Sequence, residues 1–296
     1  MFYLILAVLI WASAFIAGKF SYTMMDPALM VQARIFLAAL FAVPFFVSSY
    51  RKIPSDLRSK MWLLALLNFP IVLLLQFIGL SYTSAASAVT MLGTEPLLVA
   101  LVGQLVFRLS AKPVDWILGV IAFIGIVLVV TGSESGGEIS LFGCILVLLG
   151  SLAFAFCIHL SKGVMKEVDP RSYTNVMLIF GTILCLPFTL LLVRDWTIIP
   201  SWEGSCSVLY LGIGCTWLAY RLWNKGLTRV TANASSIIAT LEPVFGVLLA
   251  MLVLGEKPEW ITAFGIILVI GAAATSALSP IWQAWLKKKT AGTRQL

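Results

Sequence analysis

The chain has 296 residues, of which 60% are hydrophobic and 11% are charged, and its mean hydropathy is +1.02. Soluble domains carry about 25% charged residues, so this composition excludes soluble, disordered, collagen-like and nucleic-acid-binding proteins and predicts a polytopic membrane protein. The formal net charge of +7 is interpreted as an orientation signal, because the basic residues fall mainly on one side of the predicted spans.

Apolar runs of about 20 residues, the length that crosses the hydrocarbon core of a bilayer, recur along the whole chain. The first run lacks a basic start and continues past Ala12-Ser13-Ala14, so we interpret it as a span and not as a cleaved signal peptide. The predicted fold class is all-α integral membrane protein with ten transmembrane helices. These lie near residues 2–22, 28–49, 61–80, 84–107, 114–132, 140–160, 173–193, 205–223, 232–254 and 260–282.

The two halves of the chain match one another in order. The matches pair Trp11 and Lys19 with Phe154 and Lys162, Asp26-Pro27 with Asp169-Pro170, Glu95-Pro96 with Glu242-Pro243, Lys112-Pro113 with Lys257-Pro258, and Gly119 and Gly125 with Gly265 and Gly271. Because five spans are an odd number, the second half enters the membrane from the opposite side, as in the inverted repeats of many secondary transporters. The predicted organisation is a first five-helix repeat (1–132), a periplasmic linker (133–139), a second repeat (140–282) and a basic cytoplasmic tail (283–296).

The basic residues predict the orientation. Of the 20 Lys and Arg residues, Lys19, Arg194 and Lys257 fall on the outer side and Arg34 lies within a span. The other sixteen fall in inner loops and the tail if the N-terminus is inside, and such loops are cytoplasmic. We therefore expect a multi-pass protein of the bacterial inner (plasma) membrane with both termini in the cytoplasm.

Signatures of catalysis and of metal binding are missing from the sequence. It contains no H-E-x-x-H, G-x-S-x-G or Walker A motif, so we predict no enzyme activity, no cofactor and no ATP-driven step. The five cysteines have neither metal-ligand spacing nor a disulfide pattern and are interpreted as small buried residues, so no metal site is predicted. Transport driven by an ion or substrate gradient is the predicted function.

Several motifs in the two halves of the chain carry a family resemblance. The second half contains Leu218-Ala219-Tyr220, Asn224-Lys225-Gly226-Leu227, Ala232-Asn233-Ala234-Ser235, Leu241-Glu242-Pro243-Val244-Phe245 and Leu254-Gly255-Glu256-Lys257. Together with Trp11-Ala12-Ser13-Ala14-Phe15 and Thr94-Glu95-Pro96-Leu97, this chain resembles the EamA transporters of the drug/metabolite transporter superfamily. The first half departs from the pattern at Phe107-Arg108-Leu109-Ser110. The resemblance implies a ten-helix carrier that exports small metabolites, amino acids or drugs.

Glu95 and Glu242 fall near the middle of their predicted spans, where a charged group costs about 2.5–3.5 kcal/mol on insertion scales. Pro96 and Pro243 follow them, and we predict a helix kink at each proline because it removes a backbone hydrogen bond. One interpretation is a carboxylate that binds a proton or a substrate amine. The other is a protonated acid that bonds a neighbouring helix and only stabilises the kink.

Trp11, Phe15 and Lys19 recur every four residues on one side of the first helix, and the two aromatic residues are predicted to line the substrate pathway. Lys19 and its repeat mate Lys162 are gate candidates, although long Lys side chains near helix ends commonly extend to the interface. Arg34 is predicted either to pair with Glu95 or Asp26 for structural reasons, or to bind a substrate carboxylate bidentately.

The remaining candidates are polar or amphipathic residues within spans. His159, the single histidine, is either a proton-relay residue or an ordinary hydrogen-bonded side chain. Gln76, Tyr220 and Trp223 are predicted walls of the substrate cavity.

The predicted function is a secondary transporter that exports amino acids or related small metabolites by alternating access, with proton coupling as an additional hypothesis. The alternative is an exporter of lipophilic cationic drugs or dyes. The expected partners are a small-molecule substrate, the lipid bilayer and protons, without nucleic acid, and the expected state is a monomer or homodimer.

Overall fold

The computed structural model is mainly helical in the residues it describes, which are 2–108, 113–131, 140–229, 235, 238–239, 241–272 and 274–275. No β-strand occurs in these ranges, and several helices are apolar enough to cross a membrane, so the predicted all-helical membrane class is confirmed. The predicted linker at 133–139 and the predicted tail at 283–296 lie outside the described residues.

The helical segments follow the apolar runs of the sequence. In chain order they are α1 (Phe2–Ser21), α2 (Pro27–Leu40, continued as Val43–Arg51), α3 (Ser55–Ser81), α4 (Ala85–Leu105), α5 (Pro113–Thr131), α6 (Leu141–Val164), α7 (Pro170–Leu192), α8 (Trp202–Leu209, Tyr210–Leu218 and Ala219–Leu227 in succession), α9 (Leu241–Val253) and α10 (Trp260–Ala272).

Five of the described helices, α1, α3, α4, α6 and α7, are long and apolar enough to cross a membrane. A sixth span results if α2 and its continuation count as one, and these two parts meet at a bend of 50°. The described parts of α9 and α10 are shorter apolar helices. The finer count of ten spans stays a prediction.

The repeated Asp-Pro pairs begin two helices in the same way. The Asp26 carboxylate accepts a hydrogen bond from the backbone N–H of Ala28 at 2.8 Å, and the Asp169 carboxylate accepts from that of Ser172 at 3.0 Å. Each proline occupies the first turn, where its missing N–H costs no helical hydrogen bond. The sequence match between the halves therefore corresponds to the same local structure in α2 and α7.

The third helix of each half contains a π-helical stretch. In α3 this stretch covers Leu67–Ile71 and includes Pro70, and in α8 it covers Tyr210–Leu218. Such stretches widen the helix and change which backbone carbonyls stay paired, and they are frequent at functional sites. In membrane helices an irregular backbone is tolerated only against protein or a wet cavity, so both stretches must face the interior.

Corresponding helices in the two halves pack in corresponding pairs. Gly79 of α3 contacts Val147 of α6, and its repeat mate Gly226 of α8 contacts Leu4 of α1. A Cβ at either glycine would lie within 3 Å of the neighbouring side chain, so glycine is required for this close approach. In the same way, α4 packs against α9, which brings the two Glu-Pro motifs to one place.

The turn after α9 holds the start of α4. Gly255 has a φ of +68°, which glycine adopts without strain, and it directs the Glu256 carboxylate to the backbone N–H groups of Ala85 and Ala86, each at 2.8 Å. A carboxylate at a helix N-terminus satisfies unpaired N–H groups and complements the helix dipole. The Leu-Gly-Glu-Lys motif thus joins the second half to the first.

Replacing Glu256 with Gln should lower the stability of the protein. The amide keeps one acceptor oxygen and places an NH2 group against a backbone N–H, so we expect a loss of about 0.5–2 kcal/mol, as for other lost helix caps. The measurement is the melting temperature in detergent, which should fall by a few degrees. Glu167→Gln, at an exposed position, is the control, and equal melting temperatures for the two variants would contradict the capping role.

Candidate functional site

A cavity of about 40 Å³ lies inside the bundle, where both Glu-Pro motifs meet α1, α2, α3, α6 and α8. Seven of the eight residues predicted for the substrate pathway line it, namely Trp11, Phe15, Arg34, Gln76, Glu95, Tyr220 and Glu242. The other lining residues are Ala14, Val72, Leu73, Phe77, Leu92 and Phe154. The fold therefore brings residues from both halves of the chain to one place.

Trp11 is the centre of an aromatic cluster at this cavity. Its ring lies 5.2 Å from that of Tyr220 in an edge-on arrangement and 6.3 Å from that of its repeat mate Phe154. Trp223, the eighth predicted residue, does not line the cavity but packs on Trp11 at 5.2 Å. These contacts hold the aromatic walls rigidly, since edge-on aromatic pairs gain energy beyond their buried area.

A hydrogen bond to the π-helical stretch of α8 fixes the orientation of Trp11. The indole Nε1–H donates to the backbone carbonyl of Cys215 at 2.9 Å. That carbonyl lies in the π-helical stretch, where the regular helical pairing is shifted. The irregular backbone of α8 therefore positions a residue of α1 that lines the cavity.

Arg34 reaches the cavity with part of its guanidinium group unpaired. The side chain is 1% exposed, its Nε donates to Thr216 Oγ1 at 2.8 Å, and its charge lies 4.6 Å above the ring of Phe77. Its Nη1 is buried without a hydrogen-bond partner. Among the residues that the structure describes, neither Glu95 nor Asp26 forms an ion pair with it. A buried guanidinium with free donors is a strong binding group for a carboxylate.

Glu95 and Glu242 both face the cavity. Glu95 is 8% exposed and Glu242 is half-buried, and the two carboxyl groups are near enough to interact electrostatically. The buried Ser151 hydroxyl lies beside the Glu95 carboxyl group. Two carboxyl groups in one small cavity disfavour double ionisation, so the pair favours binding a proton or a cation.

The first of the two prolines after these glutamates occupies a helix start. α4 is interrupted by a turn at Gly93-Thr94, and Glu95-Pro96 opens its second stretch. Glu242 and Pro243 lie in the first turn of the described part of α9. A proline in the first helical turn loses no hydrogen bond, so at Pro96 the predicted kink takes the form of a break just before the motif.

The two Glu-Pro helices touch through a small residue. Gly246 of α9 packs against Val89 of α4, and a Cβ at Gly246 would overlap the Val89 side chain. Gly246→Ala should therefore separate the helices and lower stability by about 1–3 kcal/mol, as overpacking does. Thermal unfolding of the purified variant measures this effect.

Two further variants control that measurement. At Gly271 an added Cβ has nothing within 4 Å, so Gly271→Ala should be neutral or stabilising. Val89→Ala makes room for the new methyl group, and the double variant should recover part of the stability lost in Gly246→Ala. Equal stability of Gly246→Ala and Gly271→Ala would contradict the contact.

The three predicted gate or relay residues lie away from the cavity lining. Lys19 donates from Nζ to the carbonyl of Thr83 at 2.6 Å and so links the end of α1 to the loop before α4. His159 shares a hydrogen bond of 2.8 Å with the carbonyl of Val99 on α4. Lys162 is half-buried in the last turn of α6. Their gating and relay roles stay predictions.

Sequence reasoning missed four neighbours of the predicted residues. Phe77 and Phe154 line the cavity, Thr216 binds Arg34, and Ser151 lies beside Glu95. Phe154 had a signal, because it is the repeat mate of Trp11. The other three follow from the rotation of their helices, which a uniformly apolar span does not reveal.

No group of three or more His, Cys, Asp or Glu residues with metal-binding geometry occurs in the described part of the chain. All five cysteines are free. Four of them are buried, as the sequence predicted, whereas Cys206 is exposed. The lining residues with polar groups are Glu95, Glu242, Arg34, Gln76, Tyr220 and Trp11.

A family model for EamA-like transporters matches residues 1–131 and 141–278, so it covers both predicted repeats. The chain belongs to the EamA-like transporter family. The family resemblance drawn from the Glu-Pro and Leu-Gly-Glu-Lys motifs is thereby confirmed.

Relatives of this EamA-like transporter include proteins of bacteria and archaea. An uncharacterized transporter of Haemophilus influenzae is 46% identical over 138 residues, which are 46% of this chain and 81% of the relative. An uncharacterized transporter of Archaeoglobus fulgidus is 29% identical over 93% of this chain and 96% of its own length. The uncharacterized inner membrane transporter YedA of Escherichia coli is 25% identical over 88% and 85%, respectively.

A solved structure described as a crystal structure of a protein has the same fold. Its TM-score is 0.64 with 18% identity, and the match covers 94% of this chain and 96% of the other. At this identity the similarity concerns the fold alone. With relatives named as transporters and a transporter family model that matches both halves, a general transport role is established for this chain.

Proposed function

We propose that this EamA-like transporter is a secondary carrier with ten spans in two inverted five-helix repeats, which rock around the central cavity. The paired Asp-Pro helix starts, the paired π-helical stretches and the paired glycine contacts support this symmetry. One fold inserted in both directions has two nearly equivalent states, one open to each side of the membrane.

The small volume of the cavity supports a mechanism of alternating access. Sites for small molecules usually measure about 300–1,000 Å³. At about 40 Å³ this cavity holds a few water molecules at most. A substrate therefore enters only when the helices around the two Glu-Pro motifs move apart.

We propose that the carrier lies in the inner (plasma) membrane with both termini in the cytoplasm. The excess of Lys and Arg in the loops on the N-terminal side supports this orientation. The name of the Escherichia coli relative, an inner membrane transporter, supports the location.

The substrate that the cavity fits best is a small zwitterion such as an amino acid, and export is the proposed direction. The buried Arg34 guanidinium with an unpaired Nη1 is the observation that carries this proposal, because it offers hydrogen bonds to a carboxylate. Glu95 and Glu242 in the same cavity offer acceptors to the ammonium group of the substrate.

Proton coupling follows from the same pair of carboxyl groups. The two glutamates share a proton, and this proton competes with the ammonium group of the substrate for the same site. Binding of the substrate therefore displaces the proton, and binding of the proton displaces the substrate. Export would then use the inward proton gradient. This coupling is part of the proposal and needs its own measurement.

A second candidate is export of lipophilic cations. The observation that favours it is a larger cavity of about 520 Å³ between α4, α5 and α6, whose lining is apolar apart from Thr94 and Gln104. Thr94 directly precedes Glu95, so an apolar ligand there would lie next to the carboxyl groups.

Reconstituted vesicles with an internal pH dye test both candidates. Amino acids and quaternary cations are added separately, with and without a pH gradient, and protein-free vesicles are the control. Flux with amino acids alone is the expected result. Flux with cations alone would replace the zwitterion proposal by the second candidate, and silence with both classes would contradict both.

A further inference from the structure

A set of buried polar side chains lies between the cavity and one end of the bundle. We call it the polar band, and its members are Ser49, Asn68, Tyr173, Thr174, Asn175 and Asn224. Each of them is at most 6% exposed. None of these residues is among the site candidates that the sequence predicted, because small polar residues within or at the ends of apolar spans carry no local signal of function.

Most of the polar band lies at the end of the bundle where α2 and α8 finish and α7 starts. Tyr173, Thr174 and Asn175 lie in the first turns of α7, while Ser49 lies near the end of the α2 continuation and Asn224 near the end of α8. This end carries the basic inner loops, so it is cytoplasmic in the proposed orientation.

The polar band also reaches the cavity. Asn224 lies one helical turn beyond Tyr220, whose side chain lines the cavity. Asn68 precedes Phe69 in the π-helical stretch of α3, and the ring of Phe69 lies 5.2 Å from that of Tyr220. Thus α3, α7 and α8 carry buried polar side chains between the level of the cavity wall and the helix ends.

Three oxygens of the polar band are buried without a hydrogen-bond partner. The band has two internal hydrogen bonds, from Asn224 Nδ2 to Thr174 Oγ1 at 2.9 Å and from Asn175 Nδ2 to Ser49 Oγ at 3.1 Å. The oxygens left over are Asn68 Oδ1, Tyr173 Oη and Asn175 Oδ1. Unpaired polar atoms inside a membrane bundle are costly, and native proteins rarely keep them without a use.

The first part of α4, which begins at the other end of the bundle, differs in this respect. In the part of α4 between that end and Glu95, the buried hydroxyls bond within their own helix: Ser84 to Ser87, Thr90 to the Ala86 carbonyl and Thr94 to the Met91 carbonyl. Local hydrogen bonds of this kind satisfy a hydroxyl without water. Unpaired oxygens therefore lie between the cavity and the end of the bundle where α7 starts, and the first part of α4 has no equivalent among these hydroxyls.

We propose that the polar band is the passage by which water and a polar substrate move between the cavity and the cytoplasmic end of the bundle. Its unpaired oxygens accept hydrogen bonds from water when the passage is open, and from the ammonium or other donor groups of a substrate in transit. The passage rests on the proposed transport function, and it adds residues that neither the predicted site nor the cavity lining includes.

Thiol labelling tests whether water reaches the band. Asn68→Cys and Asn175→Cys are made in a Cys206→Ser background, and Val176→Cys, a fully buried neighbour, is the matched control. The probe is a cationic methanethiosulfonate reagent applied to either side of oriented vesicles. We expect both band positions to react at least tenfold faster than Val176→Cys, and only from the cytoplasmic side.

Labelling at the control rate from both sides would overturn the passage. This readout does not depend on flux, so it separates the two proposals. Fast labelling in a protein that moves no substrate would keep the passage and contradict the carrier, and flux without labelling would do the opposite.

Removing one hydroxyl gives a second test. Because the Tyr173 hydroxyl has no partner, Tyr173→Phe should leave the melting temperature unchanged or raised, while transport falls at least threefold. Tyr50→Phe, at the same end of the bundle and half-buried, should keep the wild-type rate. A lowered melting temperature, or wild-type transport by Tyr173→Phe, would overturn the role of this hydroxyl.

Discussion

Arg34→Met is expected to lower amino-acid transport at least tenfold while the protein stays folded. Hydrogen bonds to a charged group contribute about 1.5–3 kcal/mol, and each 1.4 kcal/mol is a factor of ten in affinity. Stability should hold, because replacing a buried and partly unpaired charge with an apolar side chain of similar length removes a desolvation cost. Methionine is also the repeat mate of Arg34 in the second half, at Met177.

The measurements are substrate flux in vesicles and the melting temperature of the same preparation. Arg171→Met removes an exposed arginine and should change neither. Arg34→Lys keeps the charge but loses the planar fork, so it should recover only part of the flux. Loss of folding in both Arg34 variants would instead assign this residue a structural role.

The same variant separates the two candidate functions. A carrier of lipophilic cations gains from the loss of a positive charge at its site, so Arg34→Met should move quaternary cations as fast as the wild type or faster. In a zwitterion carrier the same substitution removes the group that binds the substrate carboxylate, so transport becomes slower. The sign of the change therefore distinguishes the substrates independently of the absolute rates.

Glu95→Gln and Glu242→Gln are each expected to lower transport at least tenfold. The amide keeps the shape of the side chain but neither binds a proton in the same way nor attracts an ammonium group, and a lost charge-assisted hydrogen bond accounts for about this factor. In the double variant, the pH gradient should no longer affect the remaining flux. Vesicle flux with and without the gradient measures both effects.

Glu203→Gln is the matched control for this pair, because Glu203 is exposed at the start of α8. It should transport at the wild-type rate. Full activity of the Glu95→Gln/Glu242→Gln double variant would remove both carboxyl groups from the mechanism. Their role would then be limited to the local helix structure at Pro96 and Pro243.

Most of the polar residues of the cavity could be predicted, because each has a signal in the sequence around it. Glu95 and Glu242 are charges within apolar runs, each beside a proline and each repeated in the other half. Arg34 is a charge within a span, so the sequence predicted that it needs a partner. Which partner it has depended on the rotation of α2 against α8, and the structure gives Thr216.

Residues without such a local signal could not be assigned. Trp223 and Tyr220 were both predicted to line the cavity because they are amphipathic residues within a span. Trp223 instead packs on Trp11 and does not line the cavity. Asn68 and Tyr173 are ordinary polar residues in the sequence, and only the packing of α3, α7 and α8 leaves their oxygens unpaired. The π-helical stretches are likewise a product of tertiary packing, although Pro70 hinted at one of them.

The sequence by itself determined the all-helical membrane class, the presence of several apolar helices and the family. These properties depend on composition, on apolar run length and on spacing along the chain, all of which can be read without coordinates. Only the tertiary structure decided that Arg34 keeps a free donor, that the Glu-Pro helices meet through Gly246, and that a polar band reaches one end of the bundle. Those features depend on which faces of distant helices meet, and in an apolar span nearly every face looks alike.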